Sequence, residues 1–108
     1  MLCRDIMKVI ETTYPKHAAL EWDNVGLLVG RVDKDVKKIY VALDATDEVI
    51  DEAIALQADM LITHHPLIFS PLKQITDEYF IGGRVVKLLQ HDISYYAMHT
   101  NYDVLGMA

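Results

Sequence analysis

Apolar and polar positions alternate along this chain in two distinct periods. Over residues 3–13, Ile6, Met7, Val9 and Ile10 recur at helical spacing, and Asp5 stands in the first turn, where the helix dipole favours an anion. Pro15 disfavours helical geometry at Tyr14 and ends that segment. Residues 21–24, Glu-Trp-Asp-Asn, read as a turn, because Asp and Asn bond their own backbone readily. A short strand over 25–30 follows, closed by Gly30. Residues 38–44 form a second strand, apolar enough to suit burial on both faces. Thr46 is a candidate N-cap for a helix over about 47–57, with Asp47 and Glu48 in its first turn and Val49, Ile50, Ala53, Ile54 and Leu56 on its buried face. A third strand over 59–63 stops at His64-His65-Pro66. The stretch 66–79 is loop-rich. A helix follows over roughly 80–91, with Val85, Val86, Leu88 and Leu89 apolar and Gly82-Gly83 weakening its first turn. A fourth strand over 93–98 ends at His99.

Strands alternating with helices imply right-handed crossovers, and so an α/β fold with a mostly parallel sheet flanked by helices. The 108 residues suffice for one domain with one core. The sheet acquires no covering helix after its last strand, so the expected domain over 1–108 is incomplete: a fragment, or a chain that buries its open edge by self-association. Apolar residues make up 52% and charged residues 24%, an ordinary globular balance without repeats, linkers or low-complexity tracts.

Composition removes several function classes. The net charge is -6 with no cluster of Lys or Arg, which argues against nucleic acid as a partner. No apolar run reaches the length of a membrane span, and charges interrupt residues 1–8 too often for a signal peptide. The single cysteine, Cys3, reads as a buried thiol near a helix start and points to a reducing, cytoplasmic setting. No Gly-x-Ser-x-Gly elbow, phosphate loop or dinucleotide fingerprint occurs.

The candidate chemistry lies where two strands end. Ligands of open α/β sheets collect outside the carboxyl ends of the strands. Neighbouring parallel strands ending at His64-His65 and at His99 through Asp103 would bring these four residues together. Adjacent residues of a regular strand point to opposite faces. His64 and His65 therefore share one site only if the chain twists at Pro66, and each imidazole could then serve a different ion. A hydrolytic pair of ions is usually about 3.5–4 Å apart. Imidazole suits Zn, Fe, Mn and Ni, and a carboxylate such as Asp103 suits the same ions and can bridge them. His99 fits either a ligand or a residue that orients a ligand or bound water, and it is the candidate catalytic residue. Asp44 ends a strand as well and could line the site or cap a helix. His17 and His91 read as surface or satisfied core histidines, and Trp22 and Tyr102 as packing residues.

At these residues the chain resembles the GTP cyclohydrolase I type 2 family, also called the Nif-three-like family. The matching pieces are residues 21–30 (EWDNVGLLVG), 41–46 (VALDAT), 58–69 (ADMLITHHPLIF) and 99–103 (HTNYD), in the family's order and spacing. The resemblance implies that His64, His65 and Asp103 bind a pair of divalent metal ions. It implies a toroidal homo-oligomer, commonly a hexamer, and for some members a hydrolase acting on a nucleotide, GTP. Members continue well past the matched region and supply a further His and Glu, so this chain corresponds to the N-terminal half. Three ligands spread over two ions give each too few. A metal-dependent hydrolase, a non-catalytic metal-binding oligomeric scaffold and an inactive truncated fragment are the competing expectations.

Overall fold

A computed structural model of the chain describes residues 1–16 and 23–99. The expected sites at His17, Trp22, Tyr102 and Asp103 lie outside the described residues. Seven elements run in the order α1 (Cys3–Thr13), β1 (Gly26–Val29), β2 (Ile39–Ala42), α2 (Asp47–Ala55), β3 (Met60–Thr63), α3 (Phe80–Gln90) and β4 (Ser94–Ala97). The sheet order is β1-β4-β3-β2, with β2, β3 and β4 parallel and β1 antiparallel to β4. The expected mixed but mostly parallel sheet flanked by helices is therefore present.

The two central strands explain the two cores. Side chains alternate across a strand, so Leu61, Tyr95 and Ala97 face α2 and α3, joining Ile50, Ala53, Val85 and Leu88. Met60, Ile62 and Tyr96 face the other way and meet Cys3, Ile6, Met7 and Ile10 of α1. Every residue of β3 and β4 is buried. Thr46 caps α2 as expected, its Oγ1 accepting from the Val49 amide at 3.2 Å.

Strand β2 corrects an expectation. Its apolar sequence suggested burial on both faces, yet it is the edge strand, and Val41 is 71% exposed. Tyr40 packs towards the core, while Ile39 and Val41 lie on the side that α1 covers only over β3 and β4. Val9, Leu56 and Leu89 also face solvent. Leu56 does so because α2 ends one residue earlier and Leu56 becomes its C-cap.

The end of β3 is held from below by a buried hydroxyl pair. Thr63 Oγ1 and Tyr95 Oη are 2.6 Å apart, and the His65 carbonyl lies within reach of both, at 2.8 Å from Thr63 Oγ1 and 3.1 Å from Tyr95 Oη. Two hydroxyl protons serve these three contacts, so one lies between the hydroxyls and the other on the carbonyl. Tyr95 Oη also accepts from the Leu67 amide at 2.9 Å. One tyrosine thus satisfies backbone groups on both sides of Pro66. Burial pushes its phenol above the ordinary tyrosine range, against the opposing bonds from Thr63 and Leu67, so it remains a neutral donor.

The paired glycines of α3 have separate reasons. A Cβ on Gly82 would stand 2.4 Å from the Thr76 carbonyl oxygen, whereas one on Gly83 would meet nothing closer than the Asp77 Cα at 3.7 Å. Of the two glycines, only Gly82 is closely approached by the loop before α3.

Three stability outcomes follow, all read by urea denaturation. Tyr95→Phe strands the Leu67 amide in the core and costs about 1–3 kcal/mol. Gly83→Ala gains up to about 1 kcal/mol from helix propensity. Gly82→Ala instead loses about 1–3 kcal/mol, because the new methyl overlaps backbone that no rotamer can move away. Equal effects of the two alanines would refute the packing argument for Gly82.

Candidate metal centre

Strands β3 and β4 pair in parallel with Thr63 opposite Ala97, so they end side by side. The residues just beyond them are His64-His65 and Met98-His99. The structure brings all three histidines together: their candidate ligand atoms lie within 4.8 Å of one another. Ring centroids are 4.8 Å apart for His64 and His65, 5.0 Å for His64 and His99, and 5.4 Å for His65 and His99. Asp103 lies outside the described residues. His91 is exposed at the end of α3, as its reading as a surface histidine anticipates.

The alternation of β3 continues into the doublet. His64 borders an apolar depression with Val41, Ile62 and Met98, on the α1 side of the sheet. His65 lines a different cavity with Thr46, Leu67, Ile81 and Arg84, on the α2 and α3 side. The two rings are tilted by 59° and meet only because the strand ends there. The hydroxyl pair under the His65 carbonyl fixes that exit, as Pro66 restricts the residue before it to extended geometry.

Carboxylates stand behind two of the imidazoles. Asp44 Oδ1 is 2.6 Å from His65 Nδ1, with both side chains about half exposed. Asp23 lies 3.2 Å from His99 Nδ1, and its own side chain is fully buried. The Asp23 carboxylate also accepts from the Asn24 amide at 2.9 Å, and Asn24 Nδ2 donates to the Ile68 carbonyl at 2.8 Å, which ties this turn to the loop after Pro66. A carboxylate on Nδ1 selects the tautomer that leaves Nε2 with its lone pair available. Three convergent imidazoles, two of them so oriented, form a donor set that fits Zn, Fe, Mn or Ni.

The sequence reading anticipated the histidine cluster and left Asp44 open between lining and capping. The structure assigns the cap to Thr46 and the histidine contact to Asp44. It missed Asp23 as the partner of His99, although Trp22-Asp23-Asn24 belongs to one of the matching motifs. It also missed Tyr95 and Arg84, which no local pattern separates from core and surface residues.

Comparison with known proteins shows what the chain as a whole is similar to. The model of the Duf34/NIF3 (NGG1p interacting factor 3) family matches residues 1–107. A GTP cyclohydrolase 1 type 2 homolog of Clostridium perfringens is 42% identical over 95% of this chain and 39% of its own length. The Bacillus subtilis protein of the same name is 44% identical over 94% of this chain and 27% of its own. Among solved structures, Staphylococcus aureus protein SA1388 superimposes with a TM-score of 0.91 at 43% identity, covering 95% of this chain and 29% of that one. Reduced HcgD from Methanocaldococcus jannaschii gives 0.90 at 40% identity, with 98% and 42% covered. The chain spans between 26% and 39% of the length of the curated relatives it matches. Matched along nearly its whole length and sharing the fold of these proteins, the chain belongs to the Duf34/NIF3 family.

Proposed function

We propose that this chain carries the N-terminal part of a dinuclear divalent-metal centre in a metal-dependent hydrolase of the GTP cyclohydrolase type. The observation that supports it best is the convergence of His64, His65 and His99 at the carboxyl ends of two adjacent parallel strands. In this reading His64 and His65 are ligands to different ions, in keeping with their approach from opposite sides of the sheet. Asp103, four residues beyond His99, supplies a carboxylate able to bridge. Two ions of Zn, Fe, Mn or Ni held by these residues would supply Lewis acidity and make water a nucleophile near neutral pH.

The chain's own residues set the conditions for that chemistry. Asp44 holds His65 by Nδ1 and leaves Nε2 as the donor atom. Asp23 does the same for His99, whose Nε2 is then placed to accept or deliver a proton beside the ions. This is the catalytic role assigned to His99, in place of a third imidazole ligand. The relatives' name, GTP cyclohydrolase 1 type 2 homolog, supports a nucleotide substrate. Those relatives are longer, so the remaining ligands and a toroidal homo-oligomer are assigned to the whole protein. The second reading, a metal-binding scaffold without turnover, shares the same ligands and differs only in the last test below.

Elemental analysis of the chain purified without chelator is expected to find Zn, Fe, Mn or Ni, and none in the His64→Ala/His65→Ala variant. Equal metal in both, or none in either, would remove this site from the described half. Asp44→Asn is expected to weaken metal affinity about 10- to 100-fold in equilibrium dialysis, by loosening the His65 ring without removing a ligand. For a full-length relative with the matching histidine, the His65→Ala variant should keep its assembly and lose GTP turnover. Turnover absent from the parent under each metal would leave the scaffold reading.

A further inference from the structure

The cavity beside His65 has a volume of about 240 Å³ and is walled by His65, Asp44, Thr46, Leu67, Ile81 and Arg84. Drug-sized ligands generally fill about 300–1,000 Å³. This space suits one group of a larger molecule. Arg84 is its only cationic wall among the described residues.

Three features preset the Arg84 guanidinium. Its Nε donates to Asp47 Oδ1 at 2.9 Å, its Cζ stands 5.3 Å from the Phe80 ring centroid, and its side chain is only 19% exposed. The salt bridge and the ring together fix the guanidinium plane. Among the described residues the Nη groups have no hydrogen-bond partner, which leaves the terminal fork of donors. That fork matches the two oxygens of a carboxylate or phosphate. Ala45, Leu67 and Ile81 supply apolar wall, where such a charge-assisted pair is stronger than in open water.

We infer that this cavity is an oxyanion subsite, in which the Arg84 Nη fork grips a carboxylate or phosphate group of a ligand whose remainder reaches the histidine cluster. The inference rests on the metal-centre reading for where the reacting part lies. It adds a group to that site which neither the sequence motifs nor the histidine geometry assigns.

The two nearby carboxylates do not defeat it. Asp47 is engaged by Arg84 Nε, and Asp44 by His65 Nδ1. Thr46 caps α2 at the cavity wall, which places the positive end of that helix beside the subsite. With ions on the histidines the balance of charge becomes attractive to an anion. Oxyanion and metal binding should therefore be reciprocally coupled. The neighbouring cavity of about 670 Å³ makes a useful contrast. Asp47, Asp51, Asp77 and Glu78 line it, and its Lys87 is bound to Asp51 at 2.8 Å, so it offers an anion no attraction.

Isothermal titration with methylphosphonate, which is not hydrolysed, and separately with acetate tests the subsite on the metal-loaded and metal-free chain. Saturable binding of at least one anion is expected in the loaded parent, with the preferred anion telling phosphate from carboxylate. Arg84→Gln should weaken it at least tenfold at unchanged metal content, Arg84→Lys should restore part of it, and Lys87→Gln should leave it as in the parent. Absence of saturable binding in the loaded parent, or equal binding in Arg84→Gln, overturns the subsite while metal content still speaks for the metal centre. Failure to load metal overturns the metal centre instead. The comparison of Arg84→Gln with the parent in the metal-free chain then decides the subsite, a tenfold loss upholding it and equal or absent binding refuting it.

Discussion

A parallel strand that stops inside a protein must pass its backbone hydrogen bonds to other groups, and at the end of β3 the Tyr95 hydroxyl is the centre of that transfer. It accepts from the Leu67 amide and, with Thr63, serves the His65 carbonyl. The residue between them is Pro66, which has no amide to donate. Without the hydroxyl pair, the part-buried His65 carbonyl and the buried Leu67 amide would lose these partners, and a buried amide left unpaired costs about 1–3 kcal/mol. The turn would then relax, and with it the direction of both histidines. Tyr95 sits in β4, so the same strand that presents His99 also fixes the place of His64 and His65. This one side chain couples the site to the sheet, beside the backbone bonds His65 N to Leu43 O and Met98 N to Thr63 O.

The alternation of β3 gives the doublet its character. Leu61 and Thr63 face α2 and α3, while Met60 and Ile62 face α1. Continued for two residues, this parity sends His64 to the apolar depression by Val41 and Met98, and His65 to the polar cavity by Arg84. Two like residues thus sample unlike surroundings, and only the strand end lets their rings approach to 4.8 Å. A regular strand extending past His65 would have kept the sheet between them. An early strand end is therefore as much a part of the site as the imidazoles.

The seven elements among the described residues were legible in the sequence because the helices are periodic, the strands are short apolar runs, and Pro, Gly or a cap such as Thr46 punctuates them. The convergence of His64, His65 and His99 was legible for a different reason: parallel topology places strand ends on one edge whatever the intervening helices contain. What was not legible depends on neighbours in space. Strand β2 is as apolar as a central strand, and only the sheet order makes it an edge with Val41 exposed. Gly82 and Gly83 look equivalent in the chain, yet the Thr76 carbonyl distinguishes them. Asp23 precedes His99 by 76 residues and reaches it from the half-buried segment before β1. Arg84 reads as the polar side of a helix until Phe80 and Asp47 fix its plane.

The charges around the histidines oppose one another in what they favour. Asp44 and Asp23 orient imidazoles and so favour cations, and the whole chain at -6 does likewise. An anionic ligand entering the same region would meet repulsion unless something offsets it. Asp23 is fully buried, with its carboxylate turned to His99 and the Asn24 amide. Asp47 is taken up by Arg84, which leaves a guanidinium with donors still to satisfy at the wall of the His65 cavity. In the proposed site, an acidic surface that favours cations and an arginine fixed beside it would make cation and anion binding support each other, because the nearby carboxylates are already engaged.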